Sequence, residues 1–374
     1  MPQPERILVC AISGRALAQS ARAAGFLPLV LDRFGDDDTR EAAAACATVA
    51  AGQEAPFSAT SLLDAAASMA PPPLPLVYGS GFDGAPDLLG GLAEGRELLG
   101  TAPAAVERVK DPWSFAATCA RLGIPHPPIS AARPADPAGW LVKRRGGAGG
   151  SHVREAARVR GLDEADYYQR RVPGTAVAAL LLGDGRRCIV LAFSRQWQRP
   201  RGRGHFAGAL FPAALSTPVA GALTEAAIAI GEAYELRGLG SADFLLAEGG
   251  AFHLLEVNPR PGASLEAAEL HLRQPLFGLH VAAARGRLPQ SAPEPSPGAA
   301  GTQIVWTDRD LTVPERFAWP GWAGDRTPAG VLLGRGDVTA TVRAEAADEP
   351  AARALLARRE TLLLERLANA AGSA

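Results

Sequence analysis

The chain has 374 residues, a formal net charge of −1, 47% hydrophobic residues and 21% charged residues. This composition is typical of a globular protein and argues against a dedicated nucleic-acid binder or a protein held on an anionic membrane. No apolar run reaches the length of a membrane span, and the N-terminal residues do not resemble a signal peptide. The four cysteines are scattered without metal-binding spacing, so we expect a cytoplasmic protein.

Lysine is scarce in this chain. Of the 38 basic side chains only Lys110 and Lys143 are lysines, and Asn258 and Asn369 are the only asparagines. An ammonium group is a compact charge that the larger, planar guanidinium of arginine does not replace at a tight site. The scarcity therefore marks both lysines as candidate functional residues.

The first elements predict an open parallel α/β sheet. Residues 6–13 are typical of a buried strand, 15–24 of a helix and 29–32 of a second strand, which together form a βαβ unit. A later strand is predicted at 76–79. A dinucleotide site, with the acid at the end of the second strand binding a ribose, is an alternative, but the first turn lacks the Gly-x-Gly-x-x-Gly pattern.

The rest of the chain predicts two further regions. A helix is expected at 106–122 and a strand at 140–143, after which strands and helices alternate to about residue 288. A segment rich in Pro, Ser and Ala then suggests a linker. We therefore predict an N-terminal α/β domain (1–104), a central domain (105–290) and a small C-terminal β-rich region with a closing helix (291–374).

A glycine-rich loop follows the strand that contains Lys143. Gly146, Gly147, Gly149 and Gly150 precede Ser151, and such a loop lets backbone amides approach an anion closely. The loop is not a Walker A motif, because no Gly-Lys-Ser/Thr follows it. A phosphate-covering loop and a plain flexible hairpin both fit this pattern, and the neighbouring lysine favours the first.

A predicted hairpin carries the most informative side chains. Two apolar runs flank Gly249 and Gly250, and a two-residue Gly-Gly turn would place Asp243 directly opposite Glu256, with Asn258 on the same face. Opposed carboxylates repel each other and need a compensating charge. A divalent cation bound by these three oxygen ligands would supply it, whereas pairing with arginines or a shared proton are the alternatives.

Five segments in this order resemble the ATP-grasp superfamily, which includes carboxylate–amine ligases and relatives of biotin carboxylase. They are Lys110 in Val-Lys-Asp-Pro, Lys143 with the glycine-rich loop, Tyr168 to Gly174, Asp243 with Glu256-Val-Asn-Pro-Arg260, and Phe277 to Val281 with Gly286 to Pro289. The resemblance covers about residues 105–290. It implies an N-terminal pre-ATP-grasp domain of open parallel α/β type, a central ATP-grasp fold and a small C-terminal β-rich region.

The resemblance also implies roles for individual residues. Lys143 and Arg260 would be catalytic, and Asp243, Glu256 and Asn258 would bind Mg²⁺ or Mn²⁺. ATP would be bound by Lys110, Lys143, Gly146, Gly147, Gly149, Gly150, Ser151, Gln169, Arg170 and Val172. The implied reaction activates a carboxylate as an acyl phosphate and joins it to an amine. The expected partners are these small molecules and a second copy of the chain, without nucleic acid or membrane.

Two other functions compete with this one. A biotin-carboxylase-like enzyme would activate bicarbonate, and it would need a separate biotin carrier because both lysines are already assigned. A nucleotide-binding regulator without chemistry is the second, although the retained charged residues argue against it.

Two further features have open roles. Arg195, Arg199, Arg201 and Arg203 with His205 form a basic stretch that fits either a solvated loop or a clamp for an anionic substrate. Ser80 and Asp83 follow an N-terminal strand and are placed beside the cleft.

Overall fold

The computed structural model describes residues 3–53, 55–199 and 204–371. Its N-terminal part is a four-stranded parallel sheet in the order β3-β2-β1-β4, as predicted. The strands are β1 (Arg6–Cys10), β2 (Leu27–Asp32), β3 (Ala45–Thr48) and β4 (Leu76–Tyr78). The helices are α1 (Arg15–Ala23), α2 (Asp37–Ala42), α3 (Ala59–Met69) and α4 (Pro86–Ala93).

The predicted single helix at 106–122 is wrong, because the structure has two. Helix α5 (Pro103–Lys110) ends where α6 (Pro112–Leu122) begins. Pro112 has no amide hydrogen and disfavours helical geometry in the residue before it, and Asp111 instead caps α6 by accepting a hydrogen bond from Ser114 N at 2.8 Å. The break makes Lys110 the last residue of its helix.

A small antiparallel sheet follows in the order β5-β8-β6-β7. Its strands are β5 (Ile129–Ser130), β6 (Trp140–Arg144), β7 (Arg154–Glu155) and β8 (Asp166–Arg170). Lys143 lies on β6, and the glycine-rich loop leads from β6 to β7. This sheet therefore carries one wall of any site that the loop covers.

The largest sheet has eight strands in the order β13-β12-β9-β10-β11-β14-β18-β16. These strands are β9 (Thr175–Asp184), β10 (Cys188–Gln198), β11 (Phe206–Phe211), β12 (Arg237–Leu246), β13 (Phe252–Asn258), β14 (Ala299–Trp306), β16 (Ala323–Gly324) and β18 (Val338–Ala346). A separate pair contains β15 (Leu311–Thr312) and β17 (Leu332–Leu333). The sheet runs across the boundary expected at residue 290, and the domain limits themselves stay a prediction.

Helices cover both faces of this sheet. They are α7 (Thr217–Ala233), α8 (Leu265–Leu272), α9 (Phe277–Ala284) and α10 (Glu349–Ala371). Along β9, Leu180 and Leu182 pack in a core with α8, α9 and the N-terminal sheet, whereas Leu181 packs in a second core with α7. This alternation is that of a strand buried on both faces. The first core joins the N-terminal sheet to the large one.

The hairpin of β12 and β13 pairs Asp243 with Glu256 as predicted, although the register from Phe244 to Leu246 differs from the predicted one by one residue. Ala247 N binds Ala251 O at 2.7 Å, so the loop contains three residues rather than the predicted two glycines. That change shifts the pairing by one residue, and an irregularity beside Asp243, where Leu255 is the extra residue, shifts it back. Asp243 therefore lies opposite Glu256, as predicted.

None of the helices in these described ranges is long and apolar enough to cross a bilayer.

Candidate active site

Two acidic residues on adjacent strands form the floor of the candidate site. Asp243 of β12 accepts hydrogen bonds from Asn258 Nδ2 at 2.9 Å and from Ser241 Oγ at 3.2 Å. Burial and the facing Glu256 raise the pKa of Asp243 to about 7. Burial alone would also raise the pKa of Glu256, but the ammonium groups of Lys110 and Lys143 hold it below its usual value. The pair is therefore poised to gain from an added cation.

Lys110 lies at the edge of this pair. Its Nζ donates to Asn258 Oδ1 at 2.9 Å and lies 3.2 Å from Asp83 Oδ1 and 3.9 Å from Glu256 Oε2. The side chain is only 7% exposed, although it leaves the C-terminal end of α5. Because α5 ends at this residue, its ammonium group can reach Glu256 and Asn258 of β13 and Asp83 beyond β4.

Arg260 lies two residues beyond β13 and is buried. Its Nε donates to Asp83 Oδ2 at 2.8 Å, and its Nη1 donates to Pro261 O at 3.4 Å. Burial raises the pKa of Asp83, but Arg260 and Lys110 outweigh it and lower that pKa to about 2. Asp83 is therefore a carboxylate that holds two of the predicted site cations. Ser80, the other residue expected at the cleft, accepts a hydrogen bond from Ile12 N through its backbone oxygen at 2.9 Å.

Lys143 lines the opposite wall of the cleft. It is buried on β6, and its Nζ donates to Gln169 Oε1 of β8 at 3.1 Å. Burial lowers the pKa of Lys143, and the nearby Glu256 opposes that shift. The cleft between the two lysines is lined by Val109, Lys110, Pro112, Phe115, His126, Lys143, Arg144, Gly146, Gly147, His152, Tyr167, Leu255 and Glu256.

The glycine-rich loop bridges two parts of the molecule. Gly146 has φ +64°, and a Cβ there would lie 2.8 Å from Asp83 O and would collide with the backbone of Gly84. At the other end, Gly149 O accepts from Phe206 N at 3.0 Å, and Gly150 leaves no room for a Cβ. Gly146 and Gly147 line the cleft, whereas Gly149 contacts the first residue of β11 and Gly150 lies against Gly204. Ser151 is exposed.

The predicted adenine-binding segment is only partly available in this arrangement. The side chain of Gln169 is engaged with Lys143, and the amide of Arg170 donates to Pro128 O at 2.8 Å. The Arg170 guanidinium lies 5.8 Å from the centre of the Trp140 ring. Val172, the next residue of the predicted set, is half-buried just beyond β8.

The basic stretch contacts the C-terminal part of the chain where it can be described. Arg195 Nε lies 3.5 Å from Glu349 Oε1, and Arg199 lies over the Trp306 ring at 4.8 Å. Arg201 and Arg203 lie outside the described residues. The contacts of Arg195 and Arg199 give no support to a role as a substrate clamp.

The donor set fits a divalent cation that also has other ligands. In the described part of the chain, no three His, Cys, Asp or Glu side chains are gathered to hold a metal ion. Asp243, Glu256 and Asn258 supply hard oxygen atoms of the kind that Mg²⁺ prefers. Magnesium commonly takes only one or two carboxylates from protein and completes its shell with phosphate and water, so the set is suitable for a nucleotide-bound ion.

Several residues around the cleft escaped the sequence-based interpretation. His126 and His152 line it, and burial together with the charge of Lys143 lowers the pKa of each to about 4. Tyr167 also lines it, and burial raises the pKa of its hydroxyl. His152 directly follows Ser151, so its position at the end of the glycine-rich loop could have identified it as a cleft residue from the sequence.

Comparison with known proteins gives one family and a shared fold. A family described as an ATP-grasp domain matches residues 109–264. No curated protein matches the chain in sequence.

Three solved structures illustrate the likeness. Rhizobium etli pyruvate carboxylase T882A with acetyl coenzyme A has 18% identity and a TM-score of 0.74, over 96% of this chain and 39% of that one. Campylobacter jejuni biotin carboxylase, as its β,γ-ATP complex, has 16% identity and a TM-score of 0.72. The match covers 93% of this chain and 89% of that one. The biotin carboxylase domain dimer of Hydrogenobacter thermophilus 2-oxoglutarate carboxylase, with MgADP and bicarbonate, has 15% identity and a TM-score of 0.72. The match covers 91% of this chain and 86% of that one. At these identities the likeness establishes the fold.

The arrangement is suited to a polyanion. Lys110 and Lys143 line the cleft together with Glu256 and the first glycines of the loop, and Asp83 connects Lys110 to the buried Arg260. The lysines would complement the negative charge of a phosphate chain, and the carboxylate pair would complement the positive charge of a divalent ion bound to it.

Proposed function

Because the chain belongs to the ATP-grasp superfamily through the domain at residues 109–264, we propose that it is an ATP-dependent ligase. It activates a carboxylate as an acyl phosphate and then joins the acyl group to an amine. The observation that carries this proposal is the opposed pair Asp243 and Glu256, with Lys110 3.9 Å from Glu256 and Lys143 on the facing wall.

The two lysines bind and orient the phosphates. Lys110 and Lys143 approach the cleft from opposite walls, so the phosphate chain lies between two point charges. Gly146 and Gly147 border the same space and permit close approach of backbone amides. The loop excludes water from the reacting group, which protects an acyl phosphate from hydrolysis.

A divalent ion held by Asp243, Glu256 and Asn258 would neutralise charge on the β- and γ-phosphates. Magnesium is the ion proposed, with manganese as a substitute of similar ligand preference.

Arg260 orients the reacting groups in the first step. A carboxylate oxygen attacks the γ-phosphorus, a new phosphorus–oxygen bond forms, and the bond to the β–γ bridging oxygen breaks to release ADP. In the second step the amine nitrogen attacks the acyl carbon, phosphate leaves, and the amine loses one proton to solvent. Positioning and charge stabilisation supply most of the catalysis in phosphoryl transfer of this kind.

Hydroxylamine trapping tests the proposal without knowledge of the amine. The chain is incubated with Mg-ATP, hydroxylamine and a panel of carboxylates, and hydroxamate and ADP are measured. One or more carboxylates should give hydroxamate and ADP in equal amounts. If wild-type protein binds Mg-ATP but no carboxylate in a broad panel raises ADP release, the ligase proposal fails and a nucleotide-binding regulator is favoured.

Activation of bicarbonate is a second candidate, because the fold matches biotin carboxylases along most of their length. Both lysines of these 374 residues lie in the cleft, so biotin would be attached outside this stretch of sequence. ADP release that depends on bicarbonate, and that free biotin accelerates, would support this candidate over the first.

A homodimer is part of the proposal for the assembled protein. The relative from Hydrogenobacter thermophilus is described as a dimer. Light scattering of the purified chain measures its mass directly, and a monomeric mass at micromolar concentration would contradict the assignment.

A further inference from the structure

Asp83 joins the two cations that lie nearest to the carboxylate pair. Its Oδ1 lies 3.2 Å from Lys110 Nζ, and its Oδ2 accepts from Arg260 Nε at 2.8 Å. Resting on the function proposed above, we propose that Asp83 is a positioning residue that aligns Lys110 and Arg260 and competes with the nucleotide phosphates for them. This gives the N-terminal sheet a direct part in the reaction.

The carboxylate uses a different oxygen for each cation. Lys110 comes from the end of α5, Arg260 follows β13, and Asp83 follows β4, so three separate elements meet at one side chain. Asp83 is 5% exposed, and Arg260 is 8% exposed. A buried carboxylate between two cations fixes the geometry of both, because moving either one leaves a charge without its partner.

The backbone around Asp83 is held firmly. The Tyr78 hydroxyl donates to Thr101 O at 2.8 Å and its oxygen lies 3.2 Å from Pro259 O, which places β4 beside the residue before Arg260. The Phe82 ring packs edge-on against Tyr78, with ring centres 5.8 Å apart. These contacts keep Asp83 at a fixed distance from the strand that leads to Arg260.

The backbone of Asp83 and Gly84 also contacts the glycine-rich loop. A Cβ at Gly146 would lie 2.8 Å from Asp83 O, and a Cβ at Gly84 would lie 3.2 Å from Gly146 O. When the loop is in this position, its first glycine rests on the backbone of the residues that hold the two cations. Loop position and cation alignment are therefore set by one short segment.

Electrostatics predicts opposite effects on binding and turnover when the charge of Asp83 is removed. The carboxylate now offsets part of the positive charge that the phosphates would meet. Asp83→Asn keeps the shape but removes that competition, so ADP and ATP should bind more tightly. Lys110 and Arg260 lose their alignment in the same variant, so turnover should fall. A residue with a merely structural role would weaken both when it is replaced.

The test measures binding and turnover in the full chain. Calorimetric titration with Mg-ADP gives Kd, and ADP release from Mg-ATP with the most active carboxylate gives kcat. For Asp83→Asn we expect Kd to fall by about fivefold or more and kcat to fall by about tenfold or more. Asp87→Asn, an exposed site four residues along on α4, makes the same charge change away from the cleft and should match wild type in both.

Asp83→Glu covers the case in which the neutral variant does not fold. It keeps the charge but moves the carboxylate by one methylene, so Kd should stay within about threefold of wild type while kcat falls. A Kd for Asp83→Asn that is unchanged or higher, or wild-type kcat in Asp83→Glu, overturns the proposal. Failure of wild-type protein to bind Mg-ADP would instead overturn the proposed function, so the two failures are distinct.

Discussion

Arg260 donates its Nε to Asp83 Oδ2 at 2.8 Å, although the two residues are 177 positions apart. The contact connects the end of the metal-side hairpin to the first sheet of the chain. Because both side chains are buried, this connection is an internal ion pair that also contacts the cleft residue Lys110, rather than a surface ion pair of small effect. The N-terminal sheet is therefore needed to complete the cleft.

Replacing Glu256 separates catalysis from stability. Glu256→Gln removes one oxygen charge from the carboxylate pair, so ADP release should fall by about 100-fold or more. The same change also removes the attraction of Lys110 and Lys143, which outweighs the other effects on Glu256, so the melting temperature should fall by a few degrees only. Glu248→Gln, exposed in the loop of the same hairpin, is the matched control and should leave both quantities unchanged. Normal ADP release by Glu256→Gln would refute the metal assignment.

Replacing Lys143 should lower activity even when the new residue is arginine. Its Nζ donates to Gln169 in a buried position, and a guanidinium is both larger and planar. Lys143→Arg should reduce ADP release by about tenfold or more while circular dichroism remains normal. Arg158→Lys, at a residue that is 82% exposed and does not line the cleft, is the control for the same exchange in reverse. Equal turnover in Lys143→Arg and wild type would make the scarcity of lysine a coincidence.

Alanine at Gly146 should displace the glycine-rich loop. The residue has φ +64°, which costs an L-residue about 1–2 kcal/mol, and a Cβ would press on the Asp83 and Gly84 backbone. Gly146→Ala should therefore weaken Mg-ATP binding by about tenfold or more. Gly161→Ala, where a Cβ meets nothing within 4 Å, should bind as wild type. Titration calorimetry compares the two, and equal affinities would show that the loop does not contact the nucleotide.

Acid should destabilise the protein partly through His280. Leu239 N donates to His280 Nδ1 at 2.9 Å, and His280 Nε2 lies 2.9 Å from Leu99 O, so the buried ring is held neutral. Burial lowers the pKa of His280 to about 4, below the unfolded value of about 6.5. The stability is thus complete above about pH 6.5 and is lost as the pH falls toward 4.

Urea unfolding between pH 6.5 and 4.5 measures this contribution. Wild type should lose up to about 1.4 kcal/mol per pH unit more than His280→Gln, because one proton is taken up on unfolding. Parallel pH profiles for the two proteins would assign the acid sensitivity to other groups.

The hairpin shows how far sequence reasoning reaches. The opposed positions of Asp243 and Glu256 were predicted from a two-residue turn, but the loop has three residues and Leu255 is bulged. Loop length and bulge each depend on packing that a one-dimensional pattern does not contain. The effects of the longer loop and of the bulge on register cancel at Asp243. The predicted pair is therefore confirmed, whereas the two-residue turn from which it was predicted is wrong.

Other features depended on contacts between distant segments. Lys110 and Lys143 could be singled out because composition marks them. Asp83 was expected beside the cleft, but its contacts with Lys110 and Arg260 appear only when β4 and β13 are brought together. The break between α5 and α6 was available in the sequence, since Pro112 follows a capping residue.

The eight-stranded sheet also bears on how the molecule can be divided. Gly208 to Phe211 of β11 pair with β14, which comes after residue 290. A fragment ending at residue 290 would expose the backbone donors and acceptors of β11 along an open edge, and such edges recruit strands from other molecules. Truncation at this apparently natural linker should therefore yield self-associating material, and a soluble nucleotide-binding fragment will need the strands that follow it.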